Sequence, residues 1–290
     1  YTTNFIGKNQ EDLYFSKKIS EELHLQNKIL NIDLLTDFEK YIDELLYYLD
    51  EPISDTAIIP TFLLSKLAKQ NNTKVIMTGA GGDELFGGYA RHYPKQKMRS
   101  YFPNININLI LILATILKKD FINIFIKIFN NQIDFMLGAS GASFNLLNCL
   151  VKNRNEFHDT FKKNVHYQNI NSYSFSSQKD LLKIDMMNYL PDNILSLTDK
   201  MSMSSSIEAR VPFLDHRLIE LVVGQDDDKF YGKNIKCSKT ILRKLYKNQI
   251  KTKIWNRKKE GFNAPSNQWI FNNKLYLIRY FKDAMHPVLN

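Results

Sequence analysis

The segment Thr78–Tyr89, TGAGGDELFGGY, directly follows the apolar run Lys74–Thr78 and combines Gly79, Gly81, Gly82, Gly87 and Gly88 with the adjacent acids Asp83 and Glu84. Glycines at the carboxyl end of a strand permit tight turns and a close backbone approach to a ligand. Amides at such a turn, or at the start of a helix after it, can hold phosphate. Asp83 is a hard oxygen donor of the kind Mg2+ uses beside nucleotide phosphates. Two nucleotide templates do not apply. GxGxxG needs glycine where Glu84 stands, and a Walker loop needs Gly-Lys-Ser/Thr where Gly87 is followed by Gly88 and Tyr89. The same residues also read as a glycine turn whose acids cap a helix, and the segment alone leaves both readings open.

Two further segments carry charge in a pattern. Asp199–Arg217, DKMSMSSSIEARVPFLDHR, sets Asp199, Lys200, Glu208, Arg210, Asp215, His216 and Arg217 around an apolar VPFL core. Pro212 fixes a turn or helix start. Arg210, just before Val211 and Pro212, is better placed than the rest to be held rigidly, and arginine suits bidentate contact with carboxylate or phosphate. A salt-bridged helix corner accounts for the other charges, and His216 is read as structural. Asn256–Pro265, NRKKEGFNAP, places Arg257, Lys258 and Lys259 before a Gly-Phe turn. Alone it reads as a solvated basic loop. The histidines at 24, 92, 158, 166, 216 and 286 show no metal-ligand spacing, and no serine sits in a G-x-S-x-G elbow.

The elements that must position these residues are legible from periodicity. Thr2–Ile6, Lys28–Ile32 and Lys74–Thr78 read as strands. Glu11–Leu23 has helical spacing, Thr36 with Glu39 forms a capping-box signature for a helix to about Leu49, and Pro60 starts another through Ala68. Strands separated by helices predict an α/β fold with a parallel sheet and flanking helices. After Tyr93 the character changes. Residues 105–165 read as helical and irregular, and Leu181–Met203, Leu218–Val223 and Lys239–Leu245 as helices. The expected division is an α/β nucleotide-binding part over 1–96 and a mainly helical part over 97–290 that completes the site.

Totals set the outer limits. The 290 residues are 44% hydrophobic and 24% charged, enough for a sizeable core. Cys149 and Cys237 suggest neither a disulfide framework nor a metal or redox pair, and point to a reducing cytoplasm. The net charge of +9 reflects a Lys-rich bias without an arginine-rich arm, so nucleic acid is not an expected partner. Residues 1–20 hold no signal-peptide core. The most apolar run, LILILATIL at 109–117, is about half a bilayer span and reads as a buried helix.

Four stretches stand in one order: DEPISDTAIIPTFLLSKLA at 50–68, TGAGGDELFGGY at 78–89, YLPDNILSLTDKMSMSSSIEARVPFLDHRL at 189–218 and RKKEGFNAPSNQW at 257–269. On them the chain resembles, over nearly its whole length, the synthetase domain of glutamine-hydrolysing asparagine synthetases. The resemblance implies a PP-loop ATP pyrophosphatase fold. It implies adenylation of an aspartate side-chain carboxylate by ATP, release of pyrophosphate, and displacement of AMP by ammonia made from glutamine in a separate glutaminase domain. It implies ATP and Mg2+, no nucleic acid and no membrane, and leaves a homodimer open. By position, Ile6 and Gly7 match an adenosine contact, and Thr78 and Gly79 a second nucleotide contact. Asp83 matches the acid near Mg2+ and pyrophosphate. Lys200 and Arg210 match cations flanking the site, and Lys259 the lysine that stabilises the phosphate transition state. Glu84 and Glu208 are expected to support these residues.

Three departures accompany the resemblance. The family's S-G-G-x-D-S loop is expected just before residue 1 and is absent, and SGAS at 140–143 has neither its aspartate nor its place in the order. The glutaminase domain is absent too, so the expectation is a fragment that is inactive by itself. Ala80 stands where asparagine-forming members often carry glutamate, and a methyl group can neither accept a proton nor bind a cation. The alternatives are a relative that amidates another carboxylate, as in surface-polysaccharide synthesis, and a non-catalytic relative. A nucleic-acid-modifying PP-loop enzyme rests on charge alone.

Overall fold

A computed structural model of the chain describes residues 1–6, 11–33, 38–51, 53, 55–93, 177–225, 230–232 and 237–251, with scattered positions at 156–168 and 254–278. Gly7, the cap expected at Thr36, the apolar run 109–117, SGAS at 140–143, most of the region 105–165 and the basic segment 256–265 with Lys259 lie outside the described residues.

The expected alternation is present. Strand β1 (Thr2–Phe5) leads to helix α1 (Glu11–Glu22), β2 (Ile29–Ile32), α2 (Phe38–Tyr47), α3 (Ile58–Gln70) and β3 (Val75–Met77). A short α4 (Gly82–Phe86) follows the glycine turn, and a 3-10 turn spans Ala90–His92. Later come α5 (Gln178–Met187), α6 (Ser196–Met203), β4 (Glu208–Arg210), α7 (His216–Val223) and α8 (Thr240–Tyr246). Among the described residues no helix is long and apolar enough to cross a membrane.

Two differences from the sequence reading have physical causes. The stretch expected as continuous helix over Leu181–Met203 is interrupted by a π turn at Leu190–Leu195. Pro191 has no N–H to donate inside a helix, and the wider turn absorbs the break. Strand β4 was not expected, because Glu-Ala-Arg has no β-branched or aromatic residue. It is a strand by partnership. It pairs in parallel with β3, Val75 opposite Glu208 and Met77 opposite Arg210. The described strands therefore form two parallel pairs, β1–β2 and β3–β4.

The larger core lies on the first pair. Phe5 and Ile32 from β1 and β2 pack with Ile58, Ile59, Phe62 and Leu63 of α3 and with Leu197 and Met201 of α6. Helix α6 thus lies on α3 and also touches β4. A second cluster holds α4 through Leu85 and Phe86, packed with Leu182, Val222 and Tyr231. Helix α5 is started by a capping box, in which Ser177 Oγ accepts the Asp180 N–H at 3.1 Å and Asp180 Oδ2 accepts the Ser177 N–H at 3.2 Å.

Phe62 and Met201 are fully buried at the α3–α6 contact. Phe62→Ala should cost about 3–5 kcal/mol, whereas Leu25→Ala, at an exposed position, should change stability by less than about 0.5 kcal/mol. Urea unfolding of both variants measures the contrast, and equal midpoints would contradict this account of the core.

Candidate active site

The carboxyl ends of β3 and β4 meet at the glycine turn. The Thr78 N–H donates to the Arg210 carbonyl at 2.8 Å, and the Glu208 N–H donates to the Lys74 carbonyl at 2.9 Å. Two segments distant in sequence thereby share one edge. The Gly82 N–H returns to the Gly79 carbonyl at 3.2 Å, and the Ala80 N–H reaches Thr78 Oγ1 at 3.4 Å.

The glycines of the turn divide into two kinds. Gly81 has φ +83°, and a Cβ there would lie 2.3 Å from Leu214 Cδ2. A Cβ on Gly88 would lie 1.7 Å from Asp83 Oδ1. Shape and packing demand glycine at both. Gly79 differs: it is exposed, and a Cβ there meets nothing within 4 Å. Packing does not explain it, and its bare backbone faces open space beside the strand ends, where open parallel sheets bind ligands.

The two acids also divide. Glu84 is 2% exposed and accepts the Tyr89 hydroxyl at 2.7 Å. Burial lifts its carboxyl above the ordinary glutamate range, and the Tyr89 hydrogen bond opposes that rise. Burial first, and the Glu84 charge after it, push the Tyr89 phenol upward, so it remains a donor. From Tyr89 the contacts continue. The Arg91 guanidinium lies 4.2 Å from the Tyr89 ring centre and 4.6 Å from that of Tyr189. Its Nε donates to Asp185 Oδ2 at 2.8 Å, and His92 Nε2 lies 2.6 Å from the same oxygen. Tyr189 and Asn193 both donate to Asp55 Oδ2, at 3.3 and 2.7 Å, and Asp55 Oδ1 accepts the Ala57 N–H ahead of α3. Burial and the Asp55 charge push the Tyr189 hydroxyl up to about 12. Glu84, expected as a supporting residue, is thus one end of a buried polar chain that ties α4 to α5 and α3.

Asp83 instead meets a residue the sequence reading did not single out as a cation. Lys239 Nζ lies 2.6 Å from Asp83 Oδ1. The Lys239 N–H also donates to the Phe86 carbonyl at the end of α4, at 3.2 Å. Nothing local in Ser238-Lys239-Thr240 signals this, since Asp83 is far away in sequence. Of the predicted cations among the described residues, Arg210 is exposed and Lys200 is half-buried. Arg210 is 64% exposed and its Nε donates to Glu208 Oε1 at 2.8 Å, which lowers the Glu208 carboxyl below its ordinary range. Lys200 on α6 donates to Asp50 Oδ2 at 2.8 Å. Ile6 is exposed at the carboxyl end of β1, on the other strand pair, with its N–H on the Ile32 carbonyl at 3.0 Å. His216, read as structural, is exposed at the start of α7.

The described residues do not fit a resident divalent cation. No group of three or more His, Cys, Asp or Glu among them could hold a metal. Asp83 faces a lysine and Glu84 faces Tyr89.

The raised Glu84 carboxyl has a consequence for stability. A native carboxyl that holds its proton more tightly than the unfolded chain contributes stability that is complete below the ordinary glutamate value. That contribution is lost as pH rises through the raised value. Tyr89→Phe removes the opposing hydrogen bond. The loss with rising pH should steepen, and stability at neutral pH should fall by about 1–3 kcal/mol. Urea unfolding between about pH 4 and 8 measures this, and parallel curves for the two proteins would refute it.

A family model described as asparagine synthase matches residues 1–282. The chain is similar to glutamine-hydrolyzing asparagine synthetase 1 of Bacillus subtilis (strain 168), 29% identical over 269 residues, which are 84% of this chain and 39% of that protein. It is similar to a putative glutamine-hydrolyzing asparagine synthetase of Mycobacterium tuberculosis (strain ATCC 25618 / H37Rv), 24% identical over 289 residues, 93% of this chain and 41% of that protein. It is also similar to asparagine synthetase 2 of Bacillus subtilis (strain 168), 29% identical over 259 residues, 87% of this chain and 30% of that protein. The chain spans about two fifths of the length of the first two of these relatives. With the four motif stretches in order and a family match from residue 1 to 282, the chain belongs to the asparagine synthase family.

Proposed function

We propose that this chain is the synthetase part of an enzyme that forms an amide using ATP. An oxygen of the acceptor carboxylate, aspartate by default, attacks the α-phosphorus of ATP. The bond to pyrophosphate breaks, and an acyl-AMP forms. Ammonia then attacks the acyl carbon, AMP leaves and a proton is released. Asparagine, AMP and pyrophosphate are the products. The observation that carries this reading is the hydrogen bond from Thr78 to Arg210, which joins the glycine segment and the cationic segment at one strand end beside the open Gly79.

In this reading Ile6, Gly7, Thr78 and Gly79 line the nucleotide. Lys200, Arg210 and Lys259 stabilise charge that develops on the α-phosphate and on departing pyrophosphate. Mg2+ arrives on the phosphates of ATP as part of the substrate, with Asp83 nearby. Glu208 steers Arg210, and Glu84 holds α4. The relatives are named as glutamine-hydrolyzing and are more than twice as long as the matched region. This supports a glutaminase domain as the ammonia source in a complete cytoplasmic protein. We infer further a PP-loop fold in which the nucleotide-binding part at 1–96 is completed by a further central strand, with 97–290 closing the site. The chain by itself should then be less stable than the complete protein. Thermal unfolding compares them, and equal midpoints would count against the added strand.

Ala80 favours a second acceptor class. Its methyl cannot supply a carboxylate to the reacting groups, so a carboxylate other than aspartate is the alternative product route. ATP–pyrophosphate exchange by the complete protein across candidate acids decides between them. Exchange with none would sink the adenylating reading in favour of a non-catalytic relative. Gly79→Ala separates ligand from fold. It should leave stability within about 1 kcal/mol, since the added methyl meets open space, yet weaken ATP binding about tenfold or more. Gly81→Ala should instead destabilise by about 1–2 kcal/mol, because φ there is +83°. Calorimetric ATP titration and thermal melts of both variants test the split.

A further inference from the structure

The excess positive charge of the chain is local, not the broad bias that composition suggests. Residues 229–259 hold 12 Lys and Arg and no Asp or Glu, and the other residues hold 27 against 30, a net charge of −3. With the bounding acids Asp226, Asp227, Asp228 and Glu260 included, this one stretch still carries +8 of the +9. Outside it, Lys18, Lys66, Arg91, Lys200, Arg210 and Arg217 each face a carboxylate. Inside it the pattern reverses. Lys244, Lys247 and Lys251 are exposed, and none forms an ion pair with a described residue. A helix C-terminus favours a cation at 244 or 247. It does not ask for like charges three apart, which repel, nor for another cation past the helix end.

The stretch is anchored at the glycine turn. Lys239 Nζ lies 2.6 Å from Asp83 Oδ1, and the Lys239 N–H donates to the Phe86 carbonyl at 3.2 Å. Helix α8 starts there, with Lys239 at its N-cap, and Lys247 keeps helical backbone angles at its other end. At a rise of about 1.5 Å per residue, Lys244 and Lys247 stand about 7 and 12 Å along the helix from the anchor. The Debye length is about 10 Å at about 0.1 M salt and about 30 Å at about 0.01 M. The field of these lysines therefore reaches the glycine turn, most strongly in dilute salt, without any of them touching a ligand bound there.

We propose that the exposed row Lys244, Lys247 and Lys251 is a steering surface that draws the nucleotide triphosphate to the glycine turn. This rests on the adenylating reading of that turn. A triphosphate carries several negative charges and feels the row before it reaches the site. Clustered charge of one sign raises the encounter rate. Because these lysines stand outside the contacts that hold bound nucleotide, they act on association and leave dissociation unchanged.

The test is stopped-flow binding of a fluorescent ATP analogue to the complete protein. Lys244→Glu, Lys247→Glu and Lys251→Glu together should slow association about fivefold or more at about 20 mM salt, with dissociation within about twofold of wild type. The difference should close to within about twofold at about 0.5 M salt. Lys17→Glu, Lys28→Glu and Lys69→Glu together make the same change in net charge at lysines exposed on or beside α1, β2 and α3. That variant should associate within about twofold of wild type. Lys244→Gln, Lys247→Gln and Lys251→Gln remove the charge without adding acids; they should slow association in the same direction and serve if the reversed row misfolds. Equal slowing in the two reversed variants would assign the effect to net charge and overturn the proposal. So would unchanged association in both row variants, or a loss carried by dissociation. Failure of wild type to bind the analogue at all would overturn the adenylating reading as well, whereas intact binding with unchanged association overturns the steering surface alone.

Discussion

The parallel register of β4 on β3 is the constraint on which the site depends. A parallel pair cannot be closed by a hairpin, so the chain must leave β3 and return by a long route. What brings it back is burial. Met201 of α6 and Phe62 of α3 are both fully buried against one another's helices, and each such side chain is worth about 1.5–3 kcal/mol when removed from water. The turn after α6 then redirects the chain, with the Ile207 N–H on the Ser202 carbonyl at 3.0 Å and Ser206 at φ +56°. Strand β4 arrives beside β3, and the Arg210 carbonyl meets Thr78. A loose α3–α6 contact would therefore be felt at the glycine turn.

Magnitudes separate the cations into structural and available ones. Arg91 is held between two aromatic rings and against an almost fully buried Asp185. Breaking a buried pair of this kind costs about 3–5 kcal/mol. Arg210 on Glu208 is a surface pair, and Lys200 sits on an exposed Asp50. Pairs open to water are weak, so under the adenylating reading a phosphate could take the place of the carboxylate. The guanidinium of Arg91 is part of the frame, whereas among the described cations Arg210 and Lys200 are held by weaker pairs.

Much of this was legible in the sequence. Alternation and helical spacing marked β1, β2, β3 and the first three helices within a few residues, because their apolar residues recur at the right period, even though α1 and β3 bury no residue fully. Strand β4 was not legible, because only its partner makes Glu-Ala-Arg extended. Nor was the π turn, since the apolar spacing of Leu190, Leu197 and Met201 continues across Pro191. In the site, Asp83 and Arg210 could be picked out from motifs. Lys239 could not, because the sequence reads it only as the start of a helix, and its partner is an aspartate reached only through the fold. The Arg91–Asp185 contact was hidden in the same way: each residue alone reads as surface charge.

The glycine segment ends with a division of labour that bears on its chemistry. Gly81 and Gly88 shape the turn, Glu84 is buried on Tyr89, and Asp83 is held by Lys239. Thr78, Gly79 and Ala80 remain to face outward, and none of them ionises in the range where general acid–base catalysis works. Under the adenylating reading this is no deficit. An acceptor carboxylate with an ordinary value near 4 is already ionised at neutral pH and needs no base to attack phosphorus. What the first step demands is stabilisation of charge on the phosphates, which backbone amides and movable cations supply. A wall without a free acid or base suits the formation of an acyl-AMP, and leaves proton transfer from ammonia to groups outside this segment.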